Sequence, residues 1–324
     1  MLDLPFTAVG QDFRLVGGVR IEDGEQLVNT LSPYASNVPY IARIKKTEKL
    51  PSLNFTWIVN PVTNIRLAHS QSVNRPEFRE LAAFYFYDYN TYQGTYGNPL
   101  LQGAYVHNYD ARFEIFPDVG EVLAVSGFYK QISNAIEQRI VISSNPELTW
   151  FNSPHGRNFG IELEARKSFG FLGEYFRGLS ITGNYTRITS AIEYEEGFKV
   201  DLGNGVYVDR FETREREMQG QSPYMINLSL SFTEPTLRTS INVMYYEYGR
   251  RLDAIGDIRE LDVYEEAVGI LDMAITQPLT DAFELKLTAR DLAARKREYT
   301  TREGNPYASR RSGTTYSFEL SYSF

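Results

Sequence analysis

No cysteine occurs among the 324 residues, so disulfides and thiolate metal sites are excluded. Histidine is nearly as scarce: His69, His107 and His155 fall on separate stretches, without the spacing of metal ligands. No run approaches the roughly 18 apolar residues that a membrane helix needs, and mean hydropathy is −0.35. This does not exclude a membrane β-barrel, in which only every second residue meets lipid. An excess of basic residues is missing as well. The net charge of −8 argues against a nucleic-acid partner, because phosphate binding needs concentrated Lys and Arg. The first stretch, MLDLPFTAVGQDF, has neither a basic n-region nor a long apolar core, so no signal peptide is expected there. A Gly-rich phosphate loop opening a helix, a GxSxG elbow and an EF-hand ligand run are all absent. The expectation is a chain with no catalytic residue, no metal and no cofactor.

What the chain has in excess is aromatic surface and alternation. It carries 23 Tyr against 2 Trp, and tyrosine suits sites with one apolar and one wet side. The final stretch places Tyr316, Phe318, Leu320, Tyr322 and Phe324 on one face of a strand, with Ser317, Glu319 and Ser321 on the other. The same period of two runs through 13–22, 52–60, 64–74, 104–116, 121–132, 158–169, 179–191, 223–232, 238–249, 267–277 and 282–293. This makes about twelve strands of roughly 9–13 residues. Ten tilted residues cover roughly 23–25 Å, the height of an outer-membrane apolar band. Short links at 60–64, 117–121, 169–178, 233–237 and 278–281 alternate with long polar ones at 23–51, 75–104, 192–222, 250–266 and 294–311. The expected fold class is all-β, a transmembrane antiparallel up-and-down β-barrel with short periplasmic turns and long extracellular loops. A soluble sandwich or propeller also alternates, but its strands average five or six residues and no fixed-period repeat is present. A soluble β-rich carbohydrate-binding or structural module is therefore the alternative. An outer-membrane enzyme comes third, and would need a pocket of convergent acids.

Several motifs then resemble the barrel of TonB-dependent outer-membrane receptors, the Bacteroidetes type in particular. They are SQSVNRPEFREL (70–81), GNPLLQGAYVHNYDARFE (97–114), NFGIELEARKSF (158–169), QGQSPYMINLSLSF (219–232) and the aromatic strand closing on Phe324. The resemblance covers residues 13–324. It implies an outer-membrane receptor of a Gram-negative bacterium, whose intact form binds and imports a scarce nutrient such as an iron chelate, cobalamin or a glycan. It also implies four partners: outer-membrane lipid, the insertion machinery that reads the terminal strand at Phe324, a small nutrient ligand, and TonB acting through an N-terminal plug. A complete receptor of this family has a 22-stranded barrel, a plug, a TonB box and a signal peptide. Residues 1–324 are thus expected to be the C-terminal portion of the barrel, lacking those other parts.

The best candidate ligand contact is AFYFYDYNTYQGTYGNP (83–99), with Tyr85, Tyr87, Asp88, Tyr89, Tyr92 and Tyr96. Rigid amphipathic rings interleaved with a carboxylate could stack on a sugar or enclose a chelate. The plainer alternative is that this segment packs over the barrel mouth. Arg75, Arg79 and Glu80 beside it are expected in positioning ion pairs. Trp57, Tyr105, Tyr224, Tyr322 and Phe324 are candidates for the aromatic girdles at the two membrane interfaces. The mixed-sign stretch 250–266 is expected to be a solvated outer loop.

Overall fold

The computed structural model of the chain describes residues 1–31, 38–89, 93–141, 147–201, 207–256 and 259–323. Thirteen strands follow one another in chain order as hydrogen-bonded neighbours. The first six are β1 (Leu2–Ala8), β2 (Gln11–Leu31), β3 (Pro39–Asn60), β4 (Thr63–Asn74), β5 (Ala104–Ile115) and β6 (Val122–Val141). The rest are β7 (Glu147–Ser168), β8 (Leu179–Asp201), β9 (Tyr224–Thr233), β10 (Ser240–Tyr248), β11 (Val268–Pro278), β12 (Phe283–Arg290) and β13 (Thr315–Tyr322). Every pairing in this series is antiparallel, and β1 and β13 form its two ends. Among the described residues no helix is long and apolar enough to cross a membrane.

The alternation in each strand fixes the register, because a one-residue slip would carry all the apolar side chains to the other face. Phe6 pairs with Phe13, Phe13 with Trp57 and Trp57 with Ile65. Farther along, Phe113 pairs with Val125, Val125 with Leu163, Leu163 with Tyr185 and Tyr185 with Ile226. Val243 with Met273 and Leu287 with Phe318 continue the row. The result is one apolar face crossing all thirteen strands, and many of its large side chains, Phe6, Phe113, Leu163 and Phe318 among them, stay exposed. The opposite face is polar and tied together by ion pairs. Glu114 binds Arg66 at 2.6 Å and Arg112 at 2.8 Å, and Arg112 reaches on to Glu164 at 2.7 Å.

Three features depart from the sequence expectation. First, β1 is an additional strand. Leu2, Leu4 and Phe6 alternate with Asp3 and Thr7, but Pro5 and the short length hide the pattern. Pro5 is tolerated because β1 is an edge strand, whose outer side needs no ladder donor. Second, the polar segments read as long loops at 23–51 and 192–222 are mostly strand, as is the stretch 133–157 between two of the expected strands. β2, β3, β6, β7 and β8 run 20 to 23 residues each, beyond the stretches where apolar side chains alternate. Outside a membrane both faces of a strand can be wet, so the backbone ladder continues while the hydropathy signal stops. Third, 250–266 and 294–311 contain strands Arg251–Ala254, Val263–Glu265, Arg297–Thr301 and Pro306–Arg310, which make a separate four-stranded sheet.

The short connections share one end of the sheet. The tightest is Val9–Gly10, with φ of 52° and 71°, the left-handed pair that a two-residue hairpin needs to match strand twist. The long excursions share the other end, and the candidate site is built there.

Candidate functional site

At the loop end the tyrosine-rich segment is anchored before it is displayed. A single helical turn, Phe78–Leu81, is closed by the Glu80 carboxylate accepting from the Glu77 amide at 2.9 Å. Leu81 is fully buried with Ala42, Leu101 and Trp150, and Phe86 packs against this group. The Arg79 guanidinium lies 5.1 Å over the Phe86 ring. Strand Tyr85–Asp88 then turns Phe86 inward and Tyr85 and Tyr87 outward, as period two requires. It pairs with Gln93–Tyr96, which runs parallel to Glu147–Thr149 of β7, so the hairpin extends the wall beyond its regular height. Tyr85, Tyr87 and Tyr89 are 41%, 39% and 79% exposed. The Tyr85 ring lies 5.0 Å from that of Tyr96, tilted to it, and Tyr87 meets Tyr89 edge-on at 5.1 Å. Gly94 leaves room for the Tyr85 ring, because a Cβ there would sit 2.3 Å from the Tyr85 hydroxyl and turn the ring away. Asn98 closes the segment, donating to the Trp150 carbonyl at 2.9 Å and accepting from the Leu100 amide at 2.9 Å. Tyr92 and the Asp88 side chain lie outside what the structure describes.

A second assembly caps the neighbouring mouth. Between Asn134, at φ 57°, and Pro154 the β6–β7 ladder skips one pair. Beyond it the hairpin is packed on both sides. Trp150 and Ile136 meet the Leu81 group, while Ile140 packs with Ala254, Val263 and Tyr299 of the small sheet. Phe151 covers Leu252, Ile255 and Tyr264. Glu137 sits at the centre. It accepts from both Arg216 amino groups at 2.7 and 3.0 Å, from the Ser153 hydroxyl and from the Gln219 amide at 3.0 Å. Arg216 and Glu137 are only 5% and 2% exposed.

The small sheet holds a parallel set of contacts. Tyr248 donates to Glu265 at 2.7 Å, and Arg251 pairs with the same carboxylate at 2.6 Å. Arg250 lies 3.9 Å over the Tyr264 ring, whose hydroxyl donates to Glu217. Burial pushes the Tyr264 hydroxyl well up, reinforced by its acidic partner Glu217. Burial alone would also raise Glu217, but the Tyr264 hydroxyl, a backbone amide and the Arg302 and Arg259 charges outweigh it and hold it down. Burial raises Asp262, against the Gly256 amide that donates to it at 2.9 Å. The described residues of 250–266 are therefore mostly packed into a knot, and not into the solvated loop that the mixed charges suggest.

A third feature is a fork in the wall. β3 pairs with β4 only from Ser52 to Asn60, while β4 stays paired with β5 up to Asn74. Above Ser52, β2 and β3 leave as a two-stranded ribbon. A cavity of about 640 Å³ opens between that ribbon and residues 99–105. Tyr105 bridges the split: its hydroxyl donates to Glu48 at 2.6 Å and accepts from Lys46. Arg75 pairs with Glu22 at 2.8 Å and Arg43 with Glu25 at 2.6 Å. Gln26 donates to the Pro76 carbonyl at 2.8 Å, and its own carbonyl oxygen is buried without a partner.

The girdle candidates divide between the two ends. Trp57 lies toward the short turns, bonded to Gln11 at 3.1 Å and 6.2 Å from Phe13. Tyr322 lies at the same end, 5.0 Å from Phe283. Tyr224 lies toward the loop end, donating to Glu247 at 2.8 Å. Tyr105 also lies at the loop end, in the fork, and Phe324 falls outside the described residues. His69 and His107, distant in sequence, come within 5.9 Å of each other on the apolar side of β4 and β5, because Gln71 pairs with His107 and His69 with Tyr109. No group of three or more metal-ligating side chains occurs among the described residues.

The family profile described as TonB dependent receptor-like, beta-barrel, matches residues 2–292. The chain belongs to this receptor β-barrel family. Solved TonB-dependent receptors share the fold at low identity. The ferric enterobactin receptor of Pseudomonas aeruginosa superposes with a TM-score of 0.59 at 16% identity, covering 99% of this chain and 52% of that one. The ferric-catecholate import receptor Fiu of E. coli K12 gives 0.63 at 12%, covering 97% and 42%. The FrpB iron transporter of Neisseria meningitidis gives 0.56 at 13%, covering 96% and 42%. The chain thus spans about half the length of these receptors. Comparison with curated proteins returned no match. Within this family barrel, the fork and the buried knot join β1 and the strand extensions among the parts that sequence reading missed. Pro51, directly before the point where β3 parts from β4, was the one available sign of the fork. The scattered hydrophobics Leu252, Ile255, Val263 and Tyr264 were the sign of the knot, and they follow no single period.

Proposed function

We propose that the chain is the C-terminal portion of the wall of a TonB-dependent outer-membrane receptor, which binds a small nutrient outside the cell and passes it inward. The observation that carries this reading is the single apolar face crossing thirteen strands, opposite a face laced with Arg–Glu pairs. Lipid on one side and a wet lumen on the other account for both. The short turns then face the periplasm and the long excursions face outward. The end of β13 then lies on the periplasmic side, where the insertion machinery acts, and TonB acts through a plug that other residues supply. The exposed tyrosine hairpin and the fork cavity are the ligand-facing parts. The reading assigns no reaction to the chain; of its buried carboxylates Glu137 is tied to Arg216, Glu265 to Arg251 and Glu114 to two arginines. Cell fractionation tests the proposal. The expressed chain should sediment with outer membranes and come into solution only with detergent. A monomer that stays soluble without detergent would instead favour the carbohydrate-binding or structural β module.

A further inference from the structure

We infer that the apolar face carries a built site for one phospholipid of the periplasmic leaflet, with an acyl chain in a groove over β7 and β8 and the phosphate at Lys167. This inference rests on the receptor reading above, and adds a defined site where that reading asks only for lipid contact. The connection 169–178 sets it up. The other short connections leave at most six residues between strands (Ile115 to Val122), and this one leaves ten (Ser168 to Leu179). It holds two 3-10 turns, Gly170–Leu172 and Glu174–Gly178, joined through Gly173 at φ 129°. Phe171, Leu172, Tyr175 and Phe176 stand out from it, 70%, 56%, 54% and 39% exposed. A connection needed only to reverse the chain has no use for such a patch, which marks a contact surface.

Its packing fixes the side it takes. The Tyr175 ring lies 5.5 Å from that of Phe232, and the Lys167 ammonium lies 5.4 Å over the Phe171 ring. Both anchors belong to the apolar face. Phe232 follows Ile226, Leu228 and Leu230 at period two, and Lys167 follows Leu163 and Ala165. Gly178 allows the fold-back, since a Cβ there would sit 2.0 Å from the Thr233 carbonyl oxygen. The connection is therefore a shelf on the apolar side, at the short-turn limit of the wall. Rings and cations mixed at that level suit the headgroup region of a bilayer.

Next to the shelf the apolar face is hollow. A groove of about 520 Å³ is floored by Ala165 and Gly183, which pair across β7 and β8, and walled by Leu123, Ile181, Tyr185 and Leu228. Such a recess takes an apolar occupant, because a polar one would lose its hydrogen bonds to water there. Lys167 stands two residues from Ala165 on the same strand face, toward the shelf. Its ammonium donates to Glu121 at 2.8 Å, yet the side chain stays 47% exposed, while that of Glu121 is 4% exposed and also accepts from the Ser168 amide at 3.2 Å. The carboxylate is thus enclosed, and the ammonium keeps donors that face outward. A phosphate oxygen accepts from them. A plain hydrocarbon would leave these donors unmet, and a free phosphate would leave the groove unfilled. A phospholipid satisfies both.

Native mass spectrometry of the full chain, folded in detergent and supplied with phosphatidylethanolamine, tests this. One lipid per chain should persist after the detergent is exchanged. Ala165→Phe, which fills the groove, should lower the affinity about tenfold, the equivalent of roughly two displaced methylenes. Lys167→Gln, which keeps a donor for Glu121, should lower it about fivefold. Leu287→Phe, far along the same face, should leave it unchanged. Heat-modifiable migration on gels confirms that each variant is folded. Retention indifferent to Ala165→Phe, or lost equally with Leu287→Phe, would overturn the site. A dimer of chains formed in place of the lipid complex would overturn it too. Fractionation separates this inference from the receptor reading: a chain that sediments with outer membranes yet retains no phospholipid overturns the site alone, and a chain soluble without detergent overturns both.

Discussion

At Glu137 one carboxylate accepts from a guanidinium, a hydroxyl and a backbone amide in a site almost closed to water. Desolvating such a pair offsets much of its Coulombic gain, so its net contribution is small while both members are present. Removing one is different. Glu137→Ala leaves Arg216 charged and buried, and should cost about 3–5 kcal/mol. The double change Glu137→Leu with Arg216→Met should recover most of that, and urea unfolding of the detergent-folded protein checks both. Nothing in ISNAIEQ marks Glu137 for this role, because Arg216 is 79 residues away and only folding brings it near. The outward aim of Tyr85 and Tyr87 was legible, since period two opposes them to Phe86. What holds Tyr85 in place was not, because the contact depends on the empty space above Gly94.

At the scale of elements, the apolar parts of the strands were readable and their extensions were not. Residues 179–191 alternate, but β8 runs on to Asp201, supported by antiparallel pairing with Tyr207–Arg216. Ladder hydrogen bonds carry no sequence signature of their own. The knot formed with 250–266 has a pH dependence that can be derived from its partners. Glu217 is held below its ordinary value of 4.5, so its stabilisation is complete above about pH 4.5 and is lost as pH falls through the depressed value. Asp262 works in the opposite sense, its burial costing more as pH rises past the ordinary carboxylate range. Tyr264 is held above its ordinary value, so its contribution is lost as pH rises beyond about 10. The hydrogen-exchange protection factor of the described residues in 251–265 should therefore fall above about pH 10. On acidification the loss at Glu217 opposes the relief at Asp262, so Glu217→Gln should leave only the Asp262 limb, in which protection rises as pH falls.

At the scale of the molecule, the two faces predict opposite tolerance to charge. Leu163 is 47% exposed on the apolar face, in the middle of the row that runs from Val125 to Tyr185. Leu163→Arg should destabilise the bilayer-inserted protein by about 2–4 kcal/mol. Thr182, one residue before Gly183 on the neighbouring strand, points to the opposite face, beside Arg166 and Ser229. Thr182→Arg should have little effect. Urea titration in lipid vesicles separates the two. Equal sensitivity at both positions would contradict a wall with lipid on one side only.

The sequence by itself determined the kind of wall this is. Alternation, loop lengths and aromatic placement act within single strands and between nearest neighbours, where the period of two converts order directly into face and register. Even the direction of the wall, short turns at one end and long excursions at the other, follows from counting. Only the tertiary structure decided what happens beyond the apolar band. The parting of β3 from β4 above Ser52, the burial of Arg216 against Glu137 and the closing of the small sheet over Phe151 join residues far apart in the chain. Their partners are chosen by the space left once the strands have paired, and no local pattern encodes that space.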